Sequence, residues 1–297
     1  MDIPRQELEE VFKDYLEGED LEIIKEWYNG YSWLGESVYN PFDVLLYLRE
    51  KMLHPYWFET GTPTFLIKLL IEKKFYIPQL EDLCASDHLI GSFDVDFIEP
   101  ENLLFQTGYL TIKSYKQMLK GIVYNLSYPN KEVKISLNDY LGRYLTNLSS
   151  EKERLTQKLE EILGNGEIIE FKEILQSLFS SIPYEWYKKN EISGYEGYYA
   201  SVVYSFLAGA GFNIIAEDYT SEGRIDLTIQ YKEKCYIIEF KVIEIERKNQ
   251  RGALEQLEIK NYADKYKSRY NTIYLVGIEF IKEKKNIIDF LWKEIKN

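Results

Sequence analysis

Between Gly223 and Lys241 the chain runs Gly-Arg-Ile-Asp, then a strand hairpin, then Glu-Phe-Lys, a spacing that can set two carboxylates and an ammonium on one face of a sheet. From Arg224 to Tyr231 apolar and polar residues alternate. Ile225, Leu227 and Ile229 are expected on one face, and Asp226, Thr228 and Gln230 on the other. The same period of two from Cys235 to Lys241 gives Glu239 and Lys241 a shared face. A two-residue turn at Lys232-Glu233 pairs residues whose numbers sum to 465, so Asp226 is expected opposite Glu239 and Lys241 opposite Arg224. Opposed Cβ atoms lie about 4.5–5.5 Å apart, where like charges repel. A divalent cation between the carboxylates reverses the sign of that interaction.

Phosphodiester hydrolysis suits such a group. Hard oxygen ligands favour Mg²⁺ or Mn²⁺, which polarises a phosphate, stabilises a leaving oxygen and acidifies a bound water. Lys241 is placed to hold or deprotonate the attacking water, or to offset charge on the phosphorus. Polar faces of exposed hairpins also carry Asp-x₁₂-Glu-x-Lys, so the spacing alone does not separate a site from a solvated face.

Two helices and a further strand must position these residues. Upstream, Glu191 to Gly211 reads as a helix with Tyr199, Val202, Val203, Phe206 and Leu207 as its apolar stripe and Glu196 near its start. Downstream, Gln250 to Tyr262 is helical, with Ala253, Gln256, Lys260 and Tyr262 as site-facing candidates, and Thr272 to Ile278 supplies a last strand.

In this arrangement the segment from about Glu191 to Asn297 resembles the PD-(D/E)XK nuclease superfamily, in the branch found behind AAA-ATPase-like domains in many bacteria. Glu196 matches the family's acidic residue on the first helix, Asp226 its metal-binding aspartate, Glu239 and Lys241 its Glu-x-Lys strand, and Gln256 with Tyr262 the helix that often follows. The resemblance implies a restriction-endonuclease-like α/β domain with a central mixed sheet and metal-dependent cleavage of nucleic acid. Lys241, Asp226, Glu239, Glu196 and Gln256 would be catalytic. Asp226, Glu239, Glu196 and the carbonyl of Phe240 would hold Mg²⁺ or Mn²⁺.

Further strings, Glu26-Trp27-Tyr28-Asn29-Gly30-Tyr31, Val38-Tyr39-Asn40-Pro41-Phe42, Tyr56 to Leu66 and Leu104 to Leu110, are similar to the carboxyl-terminal part of the AAA-ATPase-like family. The phosphate-binding loop is missing: no Gly-x₄-Gly-Lys-Ser/Thr occurs. Either the sequence is a fragment or its protein has lost the motor, and ATP hydrolysis is not expected.

The 297 residues suggest two or three domains, and 45% hydrophobic content suffices for sizeable cores. No apolar run reaches membrane-span length and the start is no signal peptide, so a soluble cytoplasmic protein is expected. Cys84 and Cys235 are expected to be reduced and buried. With His54 and His88 as the only histidines, a carboxylate site is the main option left. Residues 191–297 carry 16 Lys and Arg against 17 Asp and Glu, so of the net −13 residues 1–190 hold −12. Lys241, Arg247, Lys248, Arg251, Lys260, Lys265, Lys267 and Arg269 form either a modest basic rim or a solvated face offset by Glu244, Glu246, Glu255 and Glu258.

The expected architecture is α+β and multidomain, with helices over 1–81, a winged-helix-like middle and helical linker over 82–190, and the nuclease-like domain over 191–297. Breaks fall at Tyr28-Asn29-Gly30, Asn40-Pro41 and Gly61-Thr62-Pro63. Asn40 is expected to cap one helix and Thr60 or Thr62 another. Trp27, Trp33 and Trp57 are expected in the core. In the middle, two helices precede strands at 109–113, 121–126 and 132–136, and helices follow at 151–163 and 168–179. A metal-dependent nuclease acting on DNA more than RNA is the leading function. The alternatives are a non-catalytic nucleic-acid-binding or regulatory module retaining the nuclease fold, or a platform whose acidic front recruits a protein partner or separate ATPase.

Overall fold

The structure, a computed structural model, describes residues 3–60, 64–91, 98–146, 152–182, 196–243, 252–281 and 286–296. The chain divides into two compact units, one of residues 1–73 and 79–137, the other of 74–78 and 138–297.

In the first unit β1 (Ile3–Pro4), β2 (Asn29–Tyr31) and β3 (Val38–Tyr39) make a small antiparallel sheet in the order β1-β3-β2, among α1 (Arg5–Val11), α2 (Leu21–Tyr28), α3 (Pro41–Glu50) and α4 (Thr64–Glu72). The expected helical region thus also contains short strands. Asn40 caps α3 as anticipated: its Oδ1 accepts the Phe42 N–H at 3.0 Å, and Pro41 occupies the first turn, where no donor is needed. The cap expected from Thr60 or Thr62 involves side chains outside the described residues. Leu8, Ile24, Tyr28, Val44 and Tyr47 form the core. Trp27 and Trp57 are half-buried, whereas Trp33 is 60% exposed, contrary to its expected core role.

A second antiparallel sheet, ordered β4-β6-β5, is built from β4 (Leu83–Ser86), β5 (Thr111–Met118) and β6 (Gly121–Ser127), beside α5 (Asp87–Gly91) and α6 (Pro100–Gln106). Its third strand comes from residues before the ribbon. The strand expected at Glu132 to Ser136 is instead part of α7 (Lys131–Thr146). Asn130 Oδ1 accepts the Val133 N–H at 3.0 Å, and Val133, Leu137, Leu141 and Leu145 repeat every four residues as a buried stripe that only a helix aligns. Cys84 is exposed and Cys235 buried, both as free thiols, so the expected burial fails for Cys84.

Asp43 on α3 and Glu132 on α7 are fully buried and face one another, with Glu132 Oε1 accepting the Trp57 N–H at 2.8 Å. Two carboxylates cannot hydrogen-bond unless one is protonated. Burial and the Asp43 charge accordingly push Glu132 up to about 10.

The second unit is organised on one five-stranded sheet, ordered β11-β10-β9-β8-β7, with β7 (Asn213–Thr220), β8 (Gly223–Tyr231), β9 (Lys234–Ile243), β10 (Thr272–Ile281) and β11 (Ile287–Lys296). Only β9 and β10 run parallel, so the sheet is mixed, as expected for this domain. β11 extends it beyond the last anticipated strand. α8 (Lys152–Asn165) and α9 (Ile168–Ser180) match the two expected helices. Gly166, at φ +82°, ends α8 by passing its own N–H and that of Glu167 to the Ile162 carbonyl.

α10 (Glu196–Gly209) and α9 cover one sheet face, through Phe171 against Tyr236 and Tyr199 stacked at 4.0 Å on Phe280. α10 is buried on every side from Tyr198 to Ala208, more than the expected stripe. On the opposite face lies α11 (Ala253–Ile259), continued by a 3₁₀ turn at Tyr262–Lys265. Ile225, Cys235, Ile237, Leu257, Tyr262 and Tyr266 form the core there.

Candidate active site

Pairing between β8 and β9 follows the anticipated sum of 465 from Tyr231↔Lys234 to Leu227↔Ile238, with Lys232 at φ +53° in the two-residue turn. It stops one residue before Asp226, and the strands fork. The kink is visible in β7, where Glu217 adopts φ +48° beside Asp226, an uncommon conformation for a residue with a Cβ. Beyond the kink the alternation slips: Ile225 joins the core of Cys235 and Ile237, on the face of Thr228, which bonds Asp218 at 3.1 Å. The expected grouping of Ile225 with Leu227 and Ile229 is thereby corrected. Lys241 is not opposite Arg224 either, because the β8–β9 ladder ends before them, and the Arg224 side chain holds Glu217 at 2.9 Å.

A fork frees backbone groups that must find partners. Site side chains take them. Asp226 Oδ2 accepts the Phe240 N–H at 2.8 Å, Glu196 Oε1 accepts the Val242 N–H at 2.9 Å, and the Arg224 carbonyl accepts the Tyr262 hydroxyl at 3.1 Å. Glu196, the first residue of α10, is thus tied to β9 just past Lys241.

Glu239 follows the period of β9 onto the α11 face. Its Oε1 accepts from Gln256 Nε2, whereas its Oε2 is buried without a hydrogen-bond partner. Burial and the Asp226 charge push Glu239 up to about 8. Burial, with help from Glu196 and Glu217, raises Asp226 to about 6, against the pull of the Phe240 N–H and Arg224. Asp226, Glu239, Glu196 and Gln256 are therefore brought together. Lys241 lies two residues beyond Glu239 on β9, on the same face by alternation.

Of the other candidates, Ala253 begins α11 and Lys260 follows it, with Nζ 6.0 Å from the Tyr262 ring centroid. Lys265 is drawn to the buried Asp218, and Lys267 to Asp264. Arg247, Lys248 and Arg251 lie outside the described residues, as do Glu244 and Glu246.

Glu279 was missed in the sequence. It pairs with Lys241 across β9 and β10, and its Oε1 accepts the Ala253 N–H at 2.9 Å, anchoring the start of the helix that carries Gln256. A lone carboxylate in the apolar run Leu275-Val276-Gly277-Ile278-Glu279-Phe280 was the available signal. Nearby Gly277 lets α11 rest on the sheet, since a Cβ there would collide with the Leu254 amide.

Among the described residues no three His, Cys, Asp or Glu side chains form a ready-made metal cage, and no helix is long and apolar enough to cross a membrane. The chain is 45% identical over 286 residues to an uncharacterized protein in the vnfD 5′ region of Azotobacter chroococcum mcd 1. That match covers 96% of this chain but 55% of the relative, so the chain spans about half the length of the curated protein it matches. The fork, both flanking helices, strands β7 to β10 and the start of β11 fall within residues 194–290, which match the family model of the PD-(D/E)XK nuclease superfamily.

Proposed function

We propose that the fork between β8 and β9 is the active site of a metal-dependent nuclease that hydrolyses phosphodiester bonds of nucleic acid, DNA in preference to RNA. One observation carries this reading: Glu239 Oε2, buried and without a hydrogen-bond partner, lies beside a second raised carboxylate. Leaving such an acceptor unsatisfied costs about 1–3 kcal/mol, and a cation removes that cost together with the repulsion. The donor set fits Mg²⁺ or Mn²⁺, with Asp226, Glu239, the Phe240 carbonyl and Glu196 as the residues that would hold it. When bound, the ion supplies polarisation of the phosphate and an acidified water.

The protein's own groups do the rest. The Phe240 N–H orients Asp226, and Gln256 fixes Glu239 Oε1 and leaves Oε2 without a competing donor. The Lys241 ammonium holds the attacking water or offsets charge gathering on the phosphoryl oxygens. The family match over 194–290 supports the reaction class. The strings in residues 26–110 that are similar to AAA-ATPase-like proteins support a role beside a separate ATPase or another protein partner that delivers substrate, because residues 1–190, with net charge −12, repel a polyanion.

The test is cleavage of supercoiled plasmid, single-stranded DNA and RNA in Mg²⁺ and in Mn²⁺. Asp226→Ala, Glu239→Ala and Lys241→Ala should each abolish cutting, because ligands and ammonium act as one unit, and Glu196→Gln should be milder. If the native chain is inert on all three substrates, or Lys241→Ala cuts equally well, the nuclease reading fails and a non-catalytic nucleic-acid-binding or regulatory module replaces it.

A further inference from the structure

Residues 102–131 contain four lysines and neither Asp nor Glu, within residues 1–190, which carry net charge −12. Lys131 is bound to Glu26 at 3.0 Å. The other three, Lys113, Lys116 and Lys120, stand on the β5–β6 hairpin of the first unit. Lys113 Nζ reaches the Pro129 carbonyl at 3.2 Å, and neither Lys116 nor Lys120 is ion-paired among the described residues. Asp87, beside Gly121 at the turn, offsets one of these charges and leaves the hairpin positive.

The hairpin also lacks the buried face that would explain it as core. β5 is an edge strand, and every residue from Lys113 to Lys120 is exposed. A sheet strand packed on one side alternates buried and exposed positions, so a run without alternation marks a strand open to solvent on both faces; β4 flanks β6 only from Val123 to Leu126, and from Gln117 to Ile122 the hairpin is a two-stranded ribbon. Its tip is apolar, with Leu119 fully exposed and Met118 48% exposed, and Tyr115 lies opposite Tyr124 on one ribbon face. A duplex major groove, about 12 Å wide, admits a two-stranded ribbon of this kind.

We infer that the β5–β6 hairpin is a grip for duplex nucleic acid, with Lys116 and Lys120 on the phosphates flanking a groove and Tyr115, Met118 and Leu119 entering it. The inference shares the nucleic-acid substrate of the proposed function but does not depend on cleavage. Two apolar residues at the tip favour nucleic acid over a lipid surface: burying them contributes only about 1.5–3 kcal/mol each, too little for stable anchoring.

The test uses the full chain in EDTA, a short fluorescein-labelled DNA duplex and anisotropy titrations across a KCl series, beside anionic phosphatidylserine vesicles. Each lysine that meets a phosphate adds about 0.9 to the steepness of log K against log salt. Lys116→Ala/Lys120→Ala should therefore flatten the slope by about 2 and weaken binding on the order of 30-fold at roughly 0.15 M salt. Leu119→Ala should weaken binding and leave the slope unchanged. Circular dichroism identical to native confirms that these exposed changes leave the fold intact. The inference is overturned if the native chain does not bind duplex, if the double variant keeps native slope and affinity, or if vesicles bind and duplex does not. Cleavage is scored separately in Mn²⁺: a chain that binds through the hairpin and does not cut sinks the nuclease reading and leaves this one standing.

Discussion

Replacing Glu132 with Gln should flatten the dependence of the first unit's stability on pH. Glu132 is fully buried against Asp43, and its proton affinity is raised from the ordinary 4.5 to about 10. A carboxyl raised on folding binds its proton more tightly in the folded state, so the stabilisation is complete below pH 4.5 and drains away as pH rises toward 10. Across that window one proton changes stability by about 1.4 kcal/mol per pH unit, so roughly 3 kcal/mol separates about pH 5.5 from about pH 7.5.

Gln keeps the shape of the contact. Its Oε1 accepts the Trp57 N–H and its Nε2 offers a donor to the Asp43 carboxylate in place of the proton, so the variant keeps the Trp57 bond and loses the proton equilibrium of Glu132. Hydrogen exchange of the amides in Pro41–Glu50, corrected for intrinsic rate, reports opening of this unit within the full chain. The native protein should lose protection steadily with rising pH relative to Glu132→Gln. Equal slopes in the two proteins would refute the shared proton.

Asp226→Asn should lower the Glu239 titration from about 8, because a like charge is removed while burial, the larger cause, persists; an unmoved midpoint in carboxyl NMR would show the two groups uncoupled. Mn²⁺ at about a hundredfold excess over its dissociation constant should stabilise the native chain by about 2.7 kcal/mol and Glu239→Gln far less, as read by thermal unfolding. An equal shift in both proteins would place the ion elsewhere. Gly277→Ala should destabilise the second unit by roughly 1–3 kcal/mol and draw Gln256 away from Glu239, because the new Cβ displaces the start of α11. An unchanged melting temperature would contradict that contact.

The hairpin was legible because it is local. Alternation and a two-residue turn are short-range properties, and together they set the register of β8 on β9 from Leu227 to Tyr231. The cap at Asn40 was readable for the same reason. Short windows failed at residues 132–136, where Val133 and Ile135 read as a strand. The helix appears only over four turns, when Leu137, Leu141 and Leu145 fall into line with Val133.

The residue types of the site were thus present in the sequence alone: Asp226, Glu239 and Lys241 on paired strands, with Glu196 and Gln256 on the flanking helices. The opening of the fork was decided only by tertiary structure. It depends on the kink at Glu217 in β7 and on Glu196 at the head of α10 and Tyr262 after α11, the last two far along the chain from the backbone groups they bind. The burial that raises both carboxylates is likewise a sum over many packed neighbours, and no spacing within one strand encodes it.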